Sequence, residues 1–261
     1  MSLESLLKEI KDDVKDILRY QLDISQTDVV PSDEDPGLTF QSGYPKKCKE
    51  IETCVLYIDI RKSTDLNFEH YRPTLVRLYT AFVKSMIKGA EHFGGVIRNI
   101  VGDRVMVVFP SSNCIRMAMN TAALLNTISK YIINDKFKQN QIKCGIGVDY
   151  GKMLVAKVGQ VKQDKERSAY KNLVWIGAPA NVASKLTDLA NSTRMVDGRK
   201  YAFSPILFSD RVKRGYDHIA AANHNLGKNW ASEQKFVIFS FADLSAIYGC
   251  SLEYSEAMKK A

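Results

Sequence analysis

Apolar side chains recur at helical spacing through the first two dozen residues: Leu3, Leu6, Leu7, Ile10, Val14, Ile17, Leu18 and Leu22, with acids and lysines between them. The spacing predicts one amphipathic helix whose apolar stripe needs a partner, either the body of its own chain or a second copy. From Asp23 to Lys49 the chain turns polar, and Pro31, Pro36 and Pro45 predict a connector lying on the surface. A strand pattern runs from Thr53 to Ile60. Helical periodicity follows from about Arg72 to Phe93, with Leu75, Tyr79, Phe82, Met86 and Phe93 along one face and Gly94 and Gly95 as the stop. Val96 to Val101 and Arg104 to Phe109 read as strands separated only by Gly102 and Asp103, the spacing of a tight hairpin. Ser111 to Ile133 predicts a second long helix, and Gln141 to Val148 a fourth strand.

The order strand, helix, strand, strand, helix, strand predicts an α+β fold. Its core would be ferredoxin-like βαββαβ, an antiparallel sheet with helices on one face. Beyond Gly151, strands at Met153 to Val158 and Tyr170 to Ile176 flank a polar excursion from Gln160 to Ser168. A helix then starts near Pro179 and runs to about Leu189, and in the last seventy residues only Phe236 to Phe241 stands out as a strand. The expected organisation is a helix and Pro-containing connector over 1–50, a main domain over 51–242 and a C-terminal tail over 243–261.

Composition narrows the picture. A chain of 261 residues, 45% hydrophobic and 25% charged, can bury a sizeable core. Its apolar runs are too short to span a bilayer and its N-terminus opens with charged helix formers, so a soluble, cytoplasmic protein is expected. Cys48, Cys54, Cys114, Cys144 and Cys250 lie in or beside apolar runs without a Cys-x-x-Cys pair, which predicts buried thiols rather than a disulfide framework or zinc site. The four histidines lack metal-ligand spacing. Residues 1–50 carry 7 Lys/Arg against 11 Asp/Glu, and residues 51–261 carry 30 against 18. A basic main body suits nucleic acid, an anionic surface or a small polyanion such as a nucleoside triphosphate, and the lack of interleaved aromatics makes nucleic acid the weakest of these.

The candidate chemistry begins at Asp59, which ends the Thr53 strand and shares a face with Val55 and Tyr57. Ile60, Arg61, Lys62, Ser63 and Thr64 follow, a turn with amides, hydroxyls and positive charge. Asp103 lies in the hairpin between strands expected beside it. Two carboxylates about 4 Å apart repel by about 4 kcal/mol at an effective dielectric near 20, so the pair makes sense with cations between them. Two divalent ions could then clamp an attacking oxygen and a polyphosphate. Each residue alone has a plainer role, since a Gly-Asp hairpin needs no function and a strand-end Asp often caps a turn. Asn181 and Lys185, four apart, could reach one ligand from one helical face, or serve as a cap and a solvated charge. Trp175 reads as core.

As a set and in this order, the residues resemble the class III nucleotidyl cyclases. The matching pieces are Asp59-Ile60-Arg61-Lys62-Ser63-Thr64, Gly94-Gly95 with Gly102-Asp103, Gly145 through Gly151, and Ile176-Gly177 with Asn181 through Lys185, spanning roughly residues 53 to 190. The resemblance implies two active sites shared across a head-to-tail homodimer. Asp59, the Ile60 carbonyl and Asp103 of one protomer would bind two Mg²⁺ or Mn²⁺, and the turn from Ile60 to Thr64 would cradle the triphosphate. From the other protomer, Asn181 would position the ribose and Lys185 would stabilise charge at the reacting phosphorus. The family usually carries Arg at the Lys185 position, so the charge is kept and the bidentate fork lost.

The positions that read purine bases in the family match Asn99 and Val174, and neither purine pattern is present. Tyr57 and Arg98 would shrink the pocket and offer donors to a pyrimidine carbonyl. Arg98 and Asn99 should point to opposite faces unless their strand bulges, so either could face the base. The overall pattern is most similar to the stand-alone pyrimidine cyclases of bacterial Pycsar anti-phage systems. That resemblance implies UTP, or CTP, as substrate and a cyclic nucleotide read by a separate effector protein. The alternatives are an adenylate cyclase and a silent cyclase-like nucleotide-binding module.

Overall fold

The structure, a computed structural model, describes residues 1–39, 45–137, 141–162, 165–196, 198–222, 234–236 and 246–254. The chain forms two compact units, one of residues 1–51 and 153–176, the other of residues 52–152 and 177–261. Strands β2 (Lys46–Ile60) and β5 (Cys144–Lys162) contribute residues to both.

The first unit opens with α1 (Leu3–Ile17), capped by the Ser2 hydroxyl, which accepts from the Ser5 N–H at 3.2 Å. No residue of α1 is buried, and Leu3, Leu7, Ile10, Val14 and Ile17 of its stripe are exposed. The expected connector is corrected: Leu22–Gln26 forms β1, parallel to the first residues of β2, with Leu22 against Lys46 through Gln26 against Glu50. All five β1 residues are exposed, so the strand rests on backbone pairing and leaves no burial pattern in the sequence. Leu22 therefore belongs to β1 and not to the helix, and β2 begins at Lys46 rather than Thr53. β5 forms an antiparallel hairpin with β6 (Lys165–Ile176), Leu154 facing Ile176 and Lys162 facing Lys165. The expected polar excursion is thus strand on both arms, with residues 163–164 outside the described residues. Polar side chains do not interrupt a ladder held backbone to backbone.

In the second unit the strands lie in the order β10 (Gln234–Phe236), β11 (Ile247–Cys250), β9 (Ile206–Ser209), β5, β2, β4 (Arg104–Val108), β3 (Val96–Val101). The chain runs from β2 through α3 (Arg72–His92), β3 (Val96–Val101), β4 (Arg104–Val108) and α4 (Cys114–Thr127) to β5, the expected split βαβ order. β2 pairs antiparallel with β4, Val55 against Val108 through Ile58 against Val105. Leu56, Ile58 and Ile60 of β2 and Val105 and Val107 of β4 point into a core with Leu78, Phe82 and Met86 of α3 and Ala118, Met119 and Leu125 of α4. The predicted Ser111–Ile133 helix is α4 continued as a π-helical stretch, Ile128–Ile133, and the short α5 (Asn134–Lys136). Between β2 and α3 lies α2 (Ser63–Glu69), entered through Lys62 at φ +55°.

A further helix, α6 (Ala178–Leu189), covers the other face of the sheet. Gly145 and Gly147 alternate with Ile146 and Val148 of the α3–α4 core and so face α6. A Cβ on Gly147 would lie 2.1 Å from the Ala183 carbonyl oxygen, so glycine lets the helix backbone rest on the strand. Val182, Leu186 and Ala190 pack there with Phe203, Leu207 and Ile247.

The remaining chain is more regular than its sequence pattern suggests. β7 (Thr193–Val196) and β8 (Arg199–Ala202) form a hairpin, β9 (Ile206–Ser209) runs parallel to β5, and α7 (Asp210–Ala222) follows. β10 (Gln234–Phe236) and β11 (Ile247–Cys250) complete the sheet edge. Of the predicted strand Phe236 to Phe241 only Phe236 lies among the described residues, and of the tail from Asp243 only residues 246–254. All five cysteines are buried. Among the described residues no helix is long and apolar enough to cross a membrane.

Candidate active site

β2 delivers Asp59 to the end of the sheet beside Arg104, the first residue of β4. Arg104 donates from Nε and Nη2 to Asp59 Oδ2 at 3.1 and 2.7 Å, and Arg61 Nη2 adds a third donor at 3.4 Å. Asp103 follows Gly102, whose φ of +62° suits the first central residue of a two-residue hairpin turn. Asp103 Oδ2 accepts from the Ile60 N–H at 3.0 Å. Burial, and then the neighbouring Asp59 carboxylate, push the Asp103 carboxyl up to about 6. The two predicted carboxylates therefore do converge, and the charge of one opposes ionisation of the other.

Arg104 reaches further, to Ser184 Oγ at 3.0 Å and to the Asp188 carboxylate, both on α6. Arg61 Nη1 donates to the Asp188 carbonyl at 3.0 Å. The sequence assigns no role to Arg104 or Asp188, and Ser184 enters there only within the Asn181 to Lys185 stretch. The available signal for Arg104 is register: in a hairpin turning at Gly102 and Asp103, it falls across from Asp59 once Ile58 pairs with Val105.

The turn after Asp59 is partly committed. The Arg61 N–H donates to the Lys143 carbonyl at 2.7 Å, and the Arg61 guanidinium is engaged as above. Lys62 and Thr64 are exposed and Ser63 half-buried at the start of α2, where the first helical amides have no intrahelical acceptor. The Tyr79 hydroxyl holds this turn by donating to the Ser63 carbonyl at 3.2 Å.

The conflict between Arg98 and Asn99 has a structural answer, because β3 bulges between Ile97 and Asn99. Ile97 pairs with Val107, Asn99 with Met106, and Met106 with Tyr57. Asn99, Met106 and Tyr57 form a cross-strand row on the face opposite Val107. Arg98 takes the inserted position and is half-buried. Burial raises the pKa of the half-buried Tyr57, with Arg104 opposing. Val174 lies in β6 opposite Ala156, in the first unit, whereas Tyr57 and Asn99 belong to the second. Trp175, expected in the core, is half-buried.

On α6, Val182, Ala183 and Leu186 are buried, while Asn181 and Lys185 are exposed. Arg211 grips Asp149 with Nε at 3.2 Å and Nη2 at 2.6 Å. Asp149 is fully buried, and Arg214 and Lys213 pair with Asp210 and Asp217.

Among the described residues no three His, Cys, Asp or Glu side chains gather to hold a metal. Two carboxylates with the Ile60 carbonyl still suit a hard cation that takes its other ligands from water and phosphate oxygens, as Mg²⁺ does. The close, partly buried carboxylate pair fits that role.

Comparison with known proteins identifies the family. The family described as "Adenylate and Guanylate cyclase catalytic domain" matches residues 46–196. A uridylate cyclase of Gulbenkiania mobilis is 31% identical over 200 residues, covering 72% of this chain and 71% of that protein. One of Treponema porcinum is 28% identical over 251 residues, covering 94% and 77%. Among solved structures, the adenylyl cyclase CyaB from P. aeruginosa aligns with a TM-score of 0.58 at 19% identity, covering 77% of this chain and 94% of that one. A bacterial light-regulated adenylyl cyclase aligns at 0.61 and 15% identity, covering 98% and 65%. The chain belongs to the family of adenylate and guanylate cyclase catalytic domains, the class III nucleotidyl cyclases.

Proposed function

We propose that this cyclase converts a pyrimidine nucleoside triphosphate, UTP in preference to CTP, to its 3′,5′-cyclic monophosphate and pyrophosphate. The observation that carries the base assignment is the row Tyr57, Met106 and Asn99 beside Asp59. A half-buried ring and a neutral amide stand there, with no charged purine reader in the row. They narrow the pocket and offer donors and acceptors to a pyrimidine edge, with Arg98 next to them in β3, while Val174 is a base position by family resemblance alone. The uridylate cyclases among the relatives support the same reading.

The catalytic domain spans residues 51–242 and acts as a head-to-tail homodimer. Asp59, the Ile60 carbonyl and Asp103 would hold two Mg²⁺ or Mn²⁺. When bound, these ions acidify the ribose 3′ hydroxyl and neutralise the polyphosphate. Lys62 with the Ser63 and Thr64 hydroxyls and amides binds the phosphates, and Arg61 orients the carboxylates. The partner supplies Asn181 to fix the ribose for in-line attack and Lys185 to stabilise charge at the α-phosphorus. A cation placed where charge develops lowers the barrier more than it aids ground-state binding. The cyclic product would serve as a cytoplasmic alarm in anti-phage defence, read by a separate effector protein.

The test is incubation of the pure protein with Mn²⁺ and each of the four ribonucleoside triphosphates, with products separated by chromatography. Cyclic UMP is expected as the main product. A cyclic product from ATP or GTP alone overturns the pyrimidine reading.

A further inference from the structure

One guanidinium joins the carboxylate pair to α6. Arg104 is half-buried, and all three of its nitrogens are engaged. Nε and Nη2 donate to Asp59 Oδ2 at 3.1 and 2.7 Å, Nη1 to Ser184 Oγ at 3.0 Å, and Nη2 also to the Asp188 carboxylate. With Arg61 Nη2 at 3.4 Å, three N–H donors converge on Asp59 Oδ2, an oxygen that carries two lone pairs. A divalent cation that takes this oxygen must draw on electrons the guanidinium already uses. Ser184 and Asp188 are four apart and share one side of the helix that carries Asn181 and Lys185.

We propose that Arg104 is a positioning residue that competes with the divalent cation for Asp59 and thereby links cation binding to the setting of α6. The inference rests on the reading of Asp59 as a cation ligand. In the metal-free protein Arg104 supplies the positive charge that the carboxylates require. When a cation takes over at Asp59, Arg104 retains Asp188 and Ser184 as partners, so the guanidinium is not stranded and the pull of Asp59 on α6 through it is released. α6 presents Asn181 and Lys185, so loading one site would adjust the residues offered to the other. Linkage makes the effect reciprocal: whatever holds Arg104 on Asp188 favours the cation at Asp59.

The test measures Mn²⁺ affinity of the full chain without nucleotide, from the electron paramagnetic resonance of free Mn²⁺ during titration, so turnover plays no part. Arg104→Gln is expected to bind Mn²⁺ about tenfold tighter than wild type, and Arg104→Lys, a point charge without the fork, to fall between them. Asp188→Asn removes the second anchor of the guanidinium and is expected to weaken Mn²⁺ binding severalfold in the wild-type background, with no effect in the Arg104→Gln background. Mere loss of a nearby negative charge would weaken both backgrounds alike. Amide hydrogen exchange in α6 should respond to Mn²⁺ in the wild type and not in Arg104→Gln. Wild-type affinity in both Arg104 variants, or equal Asp188→Asn effects in the two backgrounds, overturns the proposal. Asp59→Asn separates the two levels. If it leaves Mn²⁺ binding intact, the reading of Asp59 fails; if it abolishes binding while the Arg104 variants match wild type, the coupling alone fails.

Discussion

The Ile60 N–H donates to Asp103 Oδ2 at 3.0 Å, so the end of β2 is fastened to the β3–β4 turn through a carboxylate that also meets Asp59. Burial and the Asp59 charge hold that carboxyl at about 6 instead of the usual 3.8. A raised carboxyl pKa means that the native state binds this proton more tightly than the unfolded chain does. The resulting stabilisation is complete below the unfolded value and is lost as pH rises through the folded one. In the metal-free protein the ionised pair is therefore a burden above about pH 6. Asp103→Asn keeps an oxygen for the Ile60 N–H and carries no charge. In EDTA it should melt above wild type near pH 8 and close to it near pH 4, by calorimetry, while losing cyclase turnover.

Arg211 makes a contrasting case, because its strong partner has no place in the proposed chemistry. It grips the fully buried Asp149 with two nitrogens, whereas Arg214 on the same helix is itself exposed and reaches Asp210 with its tip. Burial raises the Asp149 pKa even with Ser209 and Arg211 opposing it, so the carboxylate depends on this partner. Removing one member of a buried pair costs about 3–5 kcal/mol. The Arg211 side chain is 31% exposed, so screening reduces the expected loss for Arg211→Ala to about 2 kcal/mol. Arg214→Ala removes a guanidinium that is 72% exposed, so it should cost less than Arg211→Ala in chemical denaturation.

How far the sequence speaks for itself depends on whether a feature has a local cause. The α3 and α4 stripes and the Val96–Phe109 hairpin are legible because period and turn chemistry act within a few residues. β1 is not, since its five exposed residues become a strand only by pairing with Lys46–Glu50. The single run of β5 through Gly151 is likewise hidden, because a glycine looks the same whether it ends a strand or admits a neighbour. At the site, Asp59 and Asp103 are visible as a pair at strand and turn. The opposition of Arg104 to Asp59 and the bulge at Arg98 need the register of three strands, which no local pattern encodes.

The glycines at 145 and 147 give a prediction about α6. A Cβ on Gly147 would come within 2.1 Å of the Ala183 carbonyl oxygen and 2.4 Å of the Thr187 nitrogen, both helix backbone. Backbone cannot swing aside as a side-chain tip can, so Gly147→Ala must shift α6 from the strand. Overpacking of this kind costs about 1–3 kcal/mol. The variant should melt several degrees lower. It should also lose activity out of proportion to its folded fraction, because Ser184 and Asp188 move with the helix. Wild-type stability in a thermal melt would mean that α6 does not rest on β5 as described.

The last prediction concerns which chain completes which site. Within one protomer, Val182, Ala183 and Leu186 bury the inner side of α6, leaving Asn181 and Lys185 exposed at its outer side. If those two residues act on substrate held at a neighbour's Asp59 and Asp103, then Asp103→Ala and Asn181→Ala each kill both sites of a homodimer. A mixed dimer behaves differently: one site collects both lesions, and the other collects intact Asp103 from one chain and intact Asn181 from the other. With random exchange half the dimers are mixed and half of their sites are whole, so about a quarter of wild-type activity should return when the two inactive proteins are combined. Activity is read as cyclic nucleotide formed per minute, and subunit exchange is followed independently with differently tagged chains. Full exchange without recovered activity would place all four residues in a single-chain site, and the composite dimer would have to be given up.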